Sequence, residues 1–490
     1  MDSEPRKKKK QQQLHIFFVP HFANGHMTAI LHTAKLLAAE HGARSTLVTT
    51  PGNAYIFNDT INDATRSGLS MQLLLLPFPD VGLPPGCEST ASIPQTAENR
   101  FLLHKAGYLL REPFEGLLHE HLPDCIVGDA MSLWCADVAE SFHIPYVQFN
   151  VSSPFAFCVL ETVYSQAAHH NADASTDTIG PLTGLPHPLV LQRTELTLPA
   201  EYVDMYMGDL VRILRRSIGV IHNSFCELAP EYLDAIVKSG RIKRLWCVGP
   251  LQLSSTTIST NAPKNWEWIK KWLDTKEKES VVCVSFGTEW QFSHEQLRQL
   301  AIGLDSSGHS FVWILKGEDD TMAEWMPEGF YERVEGRGLV ITEWAPQFMI
   351  LNHPALGASI CHCGWNSGIE SVCAGLPVIA WPLHSEQFLN ERFFVEALKI
   401  GVRIIEGDMR EPKLKSEKVV SAEKVREAVM NILGSGEEVK EMRRKAKEYS
   451  KLAKMAMEKG GSSKLELSSL FEELTLIAQD KRNAAAAATS

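Results

Sequence analysis

The sequence lacks several patterns that would assign its chemistry at once. It contains neither G-x-G-x-x-G nor G-x-x-x-x-G-K-[ST], so the dinucleotide and P-loop interpretations lose support. It has no D-x-D, the pattern with which paired carboxylates hold a divalent metal, and no G-x-S-x-G nucleophile elbow of a hydrolase. The chemistry must therefore be sought in less familiar loops.

Long apolar runs and an excess of positive charge are also missing. We find no stretch of about 18 apolar residues and no signal-peptide core, so we expect no membrane span and a cytoplasmic location. The 48 basic and 59 acidic residues give a formal charge of −11, which argues against a nucleic-acid partner. The ten cysteines are scattered without a secretory context, which indicates reduced thiols.

Strands that alternate with helices dominate what is present. At 490 residues the chain should form two or three domains, and the alternation predicts α/β domains with parallel sheets. The predicted strands of the first set are "LHIFFVP", "STLVTT", "QLLLLPFP", "DCIVGD" and "PYVQFN", and those of the second set are "VVCVSFG", "SFVWILKG", "GLVITEW", "GASICHCG" and "LPVIAWP".

A segment rich in Ser, Thr, Asn and Pro, "GPLQLSSTTISTNAPKN", separates the two sets and is typical of a linker. The basic run Arg6–Lys10 is either a nuclear address or part of a solvated arm. The predicted organisation is a disordered arm at 1–13, a first domain at 14–250, a linker at 251–265, a second domain at 266–461, a helix at 462–480 that packs back on the first domain, and a disordered tail at 481–490.

The segment "SICHCGWNSGIESVCAG" predicts a strand, a glycine turn and a helix at the edge of the second sheet where ligands of α/β proteins bind. Ser367 and Glu370 form the pattern of a capping box. A helix N-terminus after a glycine turn is also an anion site, for which His362, Asn366 and Ser367 add donors. A capped helix and a diphosphate site both remain open.

The Cys361–Cys363 run raises a zinc alternative. Alternation along a strand sends the two cysteines to one face and His362 to the other, and no second cysteine pair exists, so we expect no metal. In the similar segment "VVCVSFGTEWQFSHEQL", Ser293 and Gln296 form another capping-box pattern. Thr288 is either a turn hydroxyl or a phosphate ligand.

In the first domain, His26 follows the first strand at the start of a helix. A helix N-terminus lowers the pKa of a histidine, which suits a neutral general base. Asp129 ends the strand "DCIVGD" and would supply the carboxylate that orients the imidazole. A turn histidine and an N-capping aspartate are the structural alternatives, and His21 competes with His26 for the role of base.

The stretch Trp344–Gln387, "WAPQFMILNHPALGASICHCGWNSGIESVCAGLPVIAWPLHSEQ", resembles the signature box of the plant family 1 UDP-sugar glycosyltransferases. "PHFANGHM", "GLPPGCES", "CVGPL" and "VSFGT" match the same family in its order, so that the resemblance spans Leu14 to Ala478. It implies a GT-B fold, in which two Rossmann-like α/β domains with parallel sheets face a central cleft. The first domain would bind the acceptor and the second the UDP-sugar.

The resemblance also implies the binding residues. His26 would be the general base and Asp129 its partner. The implied donor-binding positions are Trp344, Ala345, Gln347 and Glu370 at the uracil and ribose, Thr288, His362, Gly364, Asn366 and Ser367 at the diphosphate, and Trp365, Glu386 and Gln387 at the sugar.

The implied reaction is an inverting transfer of glucose from UDP-glucose to a hydroxyl of a small lipophilic plant metabolite, such as a flavonoid, phenol, steroid or triterpenoid. In the family, Gln at the position of Gln387 is associated with glucose as the donor sugar. The product would be a β-glucoside. No metal or cofactor is implied, and we expect a monomer. The alternatives are another UDP-sugar (galactose, glucuronic acid, rhamnose or xylose), or a UDP-sugar enzyme or sensor that transfers nothing.

Overall fold

The structure is a computed structural model. It describes residues 13–166, 177–196, 200–254, 265–287, 289–290, 292–315, 322–405 and 418–489, with the backbone alone at 200–207 and 488–489. Thr288, most of the predicted arm and most of the predicted linker lie outside these residues.

A parallel sheet of seven strands forms the first half of the chain, in the order β3-β2-β1-β4-β5-β8-β9, and β6 and β7 make a separate antiparallel pair. Every residue of β1, β4 and β5 is buried because helices cover both faces of the sheet. The strands are β1 (His15–Val19), β2 (Arg44–Thr49), β3 (Met71–Leu75), β4 (Cys125–Asp129), β5 (Tyr146–Asn150), β6 (Thr178–Leu182), β7 (Leu189–Gln192), β8 (Val220–His222) and β9 (Leu245–Cys247).

A second parallel sheet of six strands follows, in the order β12-β11-β10-β13-β14-β15. Its central strands, β10 and β13, are fully buried. The strands are β10 (Val281–Ser285), β11 (Ser310–Ile314), β12 (Gly338–Ile341), β13 (Leu356–Cys361), β14 (Val378–Ala380) and β15 (Gly401–Arg403).

Helices connect the strands. Those of the first half are α1 (Asn24–His41), α2 (Tyr55–Arg66), α3 (Ala97–Leu109), α4 (Arg111–His121), α5 (Trp134–Ser141), α6 (Pro154–Ser165), α7 (Ala200–Arg216) and α8 (Pro230–Lys238). The others are α9 (Trp266–Leu273), α10 (His294–Ser306), α11 (Met322–Trp325), α12 (Phe330–Arg333), α13 (Gln347–Leu351), α14 (Trp365–Ala374), α15 (Gln387–Arg392), α16 (Ala422–Leu433), α17 (Glu437–Met457) and α18 (Ser462–Thr489). No helix among the described residues is both long and apolar enough to cross a membrane.

The last helix returns to the first half of the chain. Leu467, Leu470 and Leu474 of α18 are buried in the core formed by β1 and α1. The predicted disordered tail at 481–490 is wrong as far as Thr489, because α18 continues through it. Alanine is the best helix former, and Arg482 bonds both oxygens of Asp124 at 2.6 and 2.7 Å.

The ten strands predicted from the sequence are present, each within a few residues of its predicted range. The prediction missed β6 and β7 and the three-residue strands β8, β9 and β15. Three residues are too few to show a period of two, and β8 and β15 lack the longer apolar run that marked the equally short β14.

Candidate active site

The two halves meet where the helices after β1 and β13 begin. Asn366, in the first turn of α14, donates from Nδ2 to the carbonyl oxygen of Gly25 in the first turn of α1, at 2.9 Å. A Cβ atom at position 25 would lie 2.6 Å from that amide nitrogen, so the contact requires glycine. The N-termini of α1 and α14 therefore face each other across one cleft.

His26 and Asp129 form a hydrogen-bonded pair on the first-domain side of the cleft. Nδ1 of His26 donates to Oδ2 of Asp129 at 2.8 Å. The other carboxylate oxygen accepts from the backbone N–H of Met131 at 2.8 Å, which fixes the carboxylate. The aspartate side chain is fully buried, whereas the His26 side chain is 22% exposed. With Nδ1 engaged, Nε2 is the ring nitrogen left for a ligand.

The pKa of His26 is raised, not lowered. Burial alone lowers it, but the charge and hydrogen bond of Asp129, together with Glu289 and Glu386, outweigh burial. The predicted lowering of the His26 pKa by the helix N-terminus is therefore wrong, because a buried carboxylate at hydrogen-bond distance acts more strongly than the helix dipole. Burial raises the pKa of Asp129, but His26 reverses this and lowers it.

His21, the competing base, lies beside His26 with the two ring centroids 5.4 Å apart. Burial, followed by the charge of His26, lowers its pKa to about 3. The hydrogen bond of Asp129 goes to His26. A base of such low pKa takes up a proton poorly at neutral pH, which favours His26.

The predicted capping box of α14 is wrong. The helix begins at Trp365, and its N-cap is Gly364, which offers no side chain to the first turn. Ser367 is thus the third helical residue, and its Oγ receives a long bond of 3.4 Å from Gln347. Because no side chain among the described residues caps this helix, its first amide N–H groups remain available to an anion. The structure thereby favours the anion-site alternative.

His362 lies on the turn between β13 and α14, between two glycines. A Cβ at Gly287 would lie 2.9 Å from Cε1 of His362, and a Cβ at Gly364 would collide with Nε2. Its Nδ1 is buried without a hydrogen-bond partner in the described residues. Burial lowers the pKa of His362 to about 4, so the ring is neutral near pH 7.

Gln347 links β10 to α14. Its Oε1 accepts from Oγ of Ser285 at 2.6 Å, and its Nε2 donates to Oε2 of Glu370 at 2.7 Å. Burial raises the pKa of Glu370 to about 7, although the bond from Gln347 opposes the rise. Glu370 is therefore the last member of a hydrogen-bonded series of side chains, Ser285–Gln347–Glu370, and not part of a capping box.

Trp344 and Ala345 lie in the loop before α13 and differ in exposure. The Trp344 side chain is 71% exposed, whereas Ala345 is packed in the core below. The carbonyl oxygen of Trp344 accepts from Nδ2 of Asn265 at 2.5 Å, which fixes the backbone of the loop. An exposed indole on a fixed backbone is suited to stacking on a planar ligand.

The indole of Trp365 is not open to the cleft. It is buried, and Nε1 donates to the carbonyl oxygen of Asn223 in the first domain at 2.8 Å. The ring stacks on Phe394, in a π-helical turn that follows α15. The prediction that Trp365 meets the sugar is therefore wrong for its side chain, which instead joins the two domains, and holds at most for its backbone.

Glu386 and Gln387 lie at the start of α15. Oε1 of Gln387 accepts from the backbone N–H groups of Leu383 and His384 at 2.9 and 3.1 Å, which fixes the buried side chain. Burial raises the pKa of Glu386, and the charge of His26 across the cleft opposes the rise. Glu386 thus lies within electrostatic reach of His26.

The run Cys361–Cys363, which raised the zinc alternative, lies at the end of β13 and in the turn after it. The strand β13 ends at Cys361, and Cys363 has φ of +61°, so strand alternation does not extend over the whole Cys-His-Cys run. Within the residues that the structure describes, no group of three or more His, Cys, Asp or Glu side chains is arranged to hold a metal ion.

The sequence prediction missed three polar residues of the cleft. Thr90 donates from Oγ1 to Oε1 of Glu289 across the cleft, at 3.0 Å. Arg100, on α3, lies within electrostatic reach of Glu289. Glu289 and Thr90 each had a signal, because Glu289 lies just after the glycine turn that follows β10 and Thr90 follows the "GLPPGCES" match. Arg100 comes from a helix with no recognisable pattern.

The fold and the cleft are those of a two-domain glycosyltransferase. The family model for UDP-glucoronosyl and UDP-glucosyl transferase matches residues 256–435. UDP-glucose flavonoid 3-O-glucosyltransferase 7 of Fragaria ananassa is 40% identical over 96% of this chain and 98% of its own length. Scopoletin glucosyltransferase of Nicotiana tabacum is 37% identical over 94% of this chain and 98% of its own length. The chain belongs to the plant family of UDP-dependent glycosyltransferases, and it is an enzyme of that class.

Solved structures agree. A Glycyrrhiza uralensis glycosyltransferase in complex with glycyrrhetinic acid 3-O-monoglucuronide has a TM-score of 0.87 and 33% identity, over 98% of this chain and 99% of that one. A Medicago truncatula relative in complex with UDP-glucose has a TM-score of 0.80 and 25% identity, over 95% and 99%. The predicted GT-B fold, with two Rossmann-like domains, is confirmed.

Proposed function

We propose that this enzyme transfers glucose from UDP-glucose to a hydroxyl of a small lipophilic plant metabolite, with inversion to a β-glucoside. The observation that carries the proposal is the 2.8 Å bond between His26 and Asp129, which lies in the same cleft as the uncapped start of α14. Relatives named for flavonoid and scopoletin glucosylation, and a neighbour solved with UDP-glucose, support the donor and the acceptor class.

The donor lies along the second domain. Trp344 stacks on uracil, and the carboxylate of Glu370 accepts from both ribose hydroxyls. The diphosphate lies at the N-terminus of α14, where His362 and the first amide N–H groups donate to it. Asn366 contributes through its backbone, since its side chain is bonded to Gly25. Gln387 and Glu386 lie at the sugar end.

The transfer is a single displacement. Nε2 of His26 removes the proton of the acceptor hydroxyl as its oxygen attacks the anomeric carbon. The imidazolium that forms is stabilised by Asp129. The bond from the anomeric carbon to the UDP oxygen breaks on the opposite face. The charge that develops on UDP is stabilised by the helix N-terminus and by His362.

Incubation with UDP-glucose and a panel of phenolic, steroidal and triterpenoid acceptors tests the proposal. We expect a product heavier than the acceptor by one hexose, with β configuration by NMR, and UDP release only when acceptor is present. UDP release without acceptor would identify a hydrolase, and binding without turnover would identify a sensor. A monomeric state and a cytoplasmic location stay predictions.

A further inference from the structure

A group of charged and polar residues crosses the cleft at its sugar end. We call Thr90, Arg100, Glu289 and Glu386 the cross-cleft cluster. The first two come from the first domain and the last two from the second. The hydrogen bond of 3.0 Å from Thr90 to Glu289 connects the two sides.

The loop that carries Thr90 is fixed to the first domain. The N–H of Thr90 donates to the carbonyl oxygen of Phe22 at 2.8 Å. The preceding Glu88 accepts from the N–H of Gly52 through its carboxylate at 2.7 Å, and from Nδ2 of Asn53 through its carbonyl at 2.9 Å. Because Thr90 is held in this way, its bond holds the Glu289 carboxylate at a defined position in the cleft.

Arg100 is a partly buried cation whose pKa is affected by the charge of Glu289. Its Nη2 donates to Oε1 of Gln95 at 2.7 Å, while its Nε is buried without a hydrogen-bond partner in the described residues. Burial lowers the pKa of Arg100, and the charge of Glu289 opposes that effect. The carboxylate of Glu289 therefore lies within electrostatic reach of Arg100.

The cluster lies where the base and the sugar meet. Glu289 and Glu386 both contribute to the raised pKa of His26, so both carboxylates are within reach of its charge. The ring of Trp290, next to Glu289, has its centroid 5.8 Å from that of the His384 ring. The backbone N–H of His384 donates to Oε1 of Gln387. A hexose whose anomeric carbon lies beside His26 thus has two carboxylates as neighbours.

On the basis of the proposed function, we infer that Glu289 is a specificity-determining residue that restricts the donor to neutral hexoses and excludes uronic acids. The carboxylate at C6 of a glucuronosyl group would be a third negative charge beside Glu289 and Glu386. Like charges brought together in a desolvated site are strongly disfavoured. Arg100 is within electrostatic reach of Glu289, so a uronic acid would have to compete with Glu289 for its charge.

The test compares kcat/KM for UDP-glucose and UDP-glucuronate with one acceptor. We expect Glu289→Gln to raise the UDP-glucuronate to UDP-glucose ratio at least about tenfold, since it removes one like charge and releases Arg100. When Arg100→Gln is added, the logarithm of this rise in the donor ratio should fall to about half or less, because the released arginine charge is gone. Glu289→Asp keeps the charge and should stay near the wild-type ratio. Glu120→Gln, at a side chain 71% exposed on α4, is the matched control and should change nothing.

A ratio for Glu289→Gln within about twofold of the wild type would overturn the inference, provided that UDP-glucose turnover persists. Turnover of neither donor by the wild type would instead contradict the proposed function. A measurement on the wild type alone covers the case in which Glu289→Gln fails to fold. UDP-glucuronate should inhibit UDP-glucose turnover with an inhibition constant at least about tenfold above the Kd of UDP-glucose, and equal affinity would contradict the inference.

Discussion

His26 and His362 lie at the same cleft on opposite domains, and their surroundings move their pKa values in opposite directions. His26 is bonded to the buried carboxylate of Asp129, and its pKa is raised despite burial. His362 lies between two glycines, has no carboxylate partner in the part of the chain that the structure describes, and its pKa is lowered to about 4 by burial. The first is suited to taking up a proton, and the second to remaining neutral beside a phosphate. The partner, and not the residue type, decides the role.

Removal of His26 tests the proton-accepting side of this comparison and should have the largest effect. We expect His26→Ala to lower kcat by about 10²- to 10⁴-fold, the usual contribution of a general base. UDP affinity, measured by calorimetry, should stay the same. His21→Ala is the neighbouring control and should cost far less. If His21→Ala abolishes turnover while His26→Ala retains it, the base is misassigned.

Removal of His362 tests the proposed role of this histidine as a neutral hydrogen-bond donor to the diphosphate. Loss of a hydrogen bond to a charged group costs about 1.5–3 kcal/mol, so His362→Ala should weaken UDP binding by about one to two orders of magnitude. His362→Gln keeps a side-chain donor and should lose less. Equal UDP affinity in the wild type and both variants would show that His362 does not contact the diphosphate.

Glu370 extends the comparison to the ribose. Its pKa is raised to about 7. The ionised carboxylate accepts from the ribose hydroxyls with both oxygens, whereas protonation turns one of these oxygens into a donor and removes the charge. Uridine binding should therefore weaken as the pH falls through 7. Glu370→Gln should lower uridine affinity by about tenfold at pH 8 and remove this pH dependence. A wild-type affinity that does not change between pH 6 and 8 would contradict the role.

The smallest effect is expected from a chelator. The N-terminus of α14 and His362 supply the stabilisation of the leaving UDP, so we expect EDTA to leave kcat unchanged. Loss of activity that an added divalent ion restores would show that the two histidines and the helix do not suffice.

The fold was largely predictable because most strands are buried on both faces, and such strands form continuous apolar runs. "HIFFV" and "VVCVS" have this character. The C-terminal tail was not predictable in the same way. Its polar and alanine residues show no apolar periodicity. The helix is also held by the hydrogen bond from Arg482 to Asp124, two residues that are far apart in sequence.

The site was predictable where the resemblance names positions, and less so where two domains meet. The pattern of Ser367 and Glu370 is that of a capping box, yet Gln347 from another element engages Glu370. The indole of Trp365 is occupied by Asn223 of the first domain. Local pattern cannot show such long-range partners. The pairing of His26 with Asp129 was predicted, but the direction of the His26 pKa was not, because it depends on how strongly a buried carboxylate outweighs the helix dipole.

The pH dependence of kcat/KM for the acceptor, in the wild type and in Asp129→Asn, tests the central claim most directly. Neutral His26 is the active form, so kcat/KM of the wild type should rise with pH through a midpoint above 6.5. Without the carboxylate, the midpoint should move to lower pH and the plateau should fall, because the imidazolium loses its partner. A midpoint that Asp129→Asn leaves unchanged, or that His362→Ala moves instead, would contradict the account.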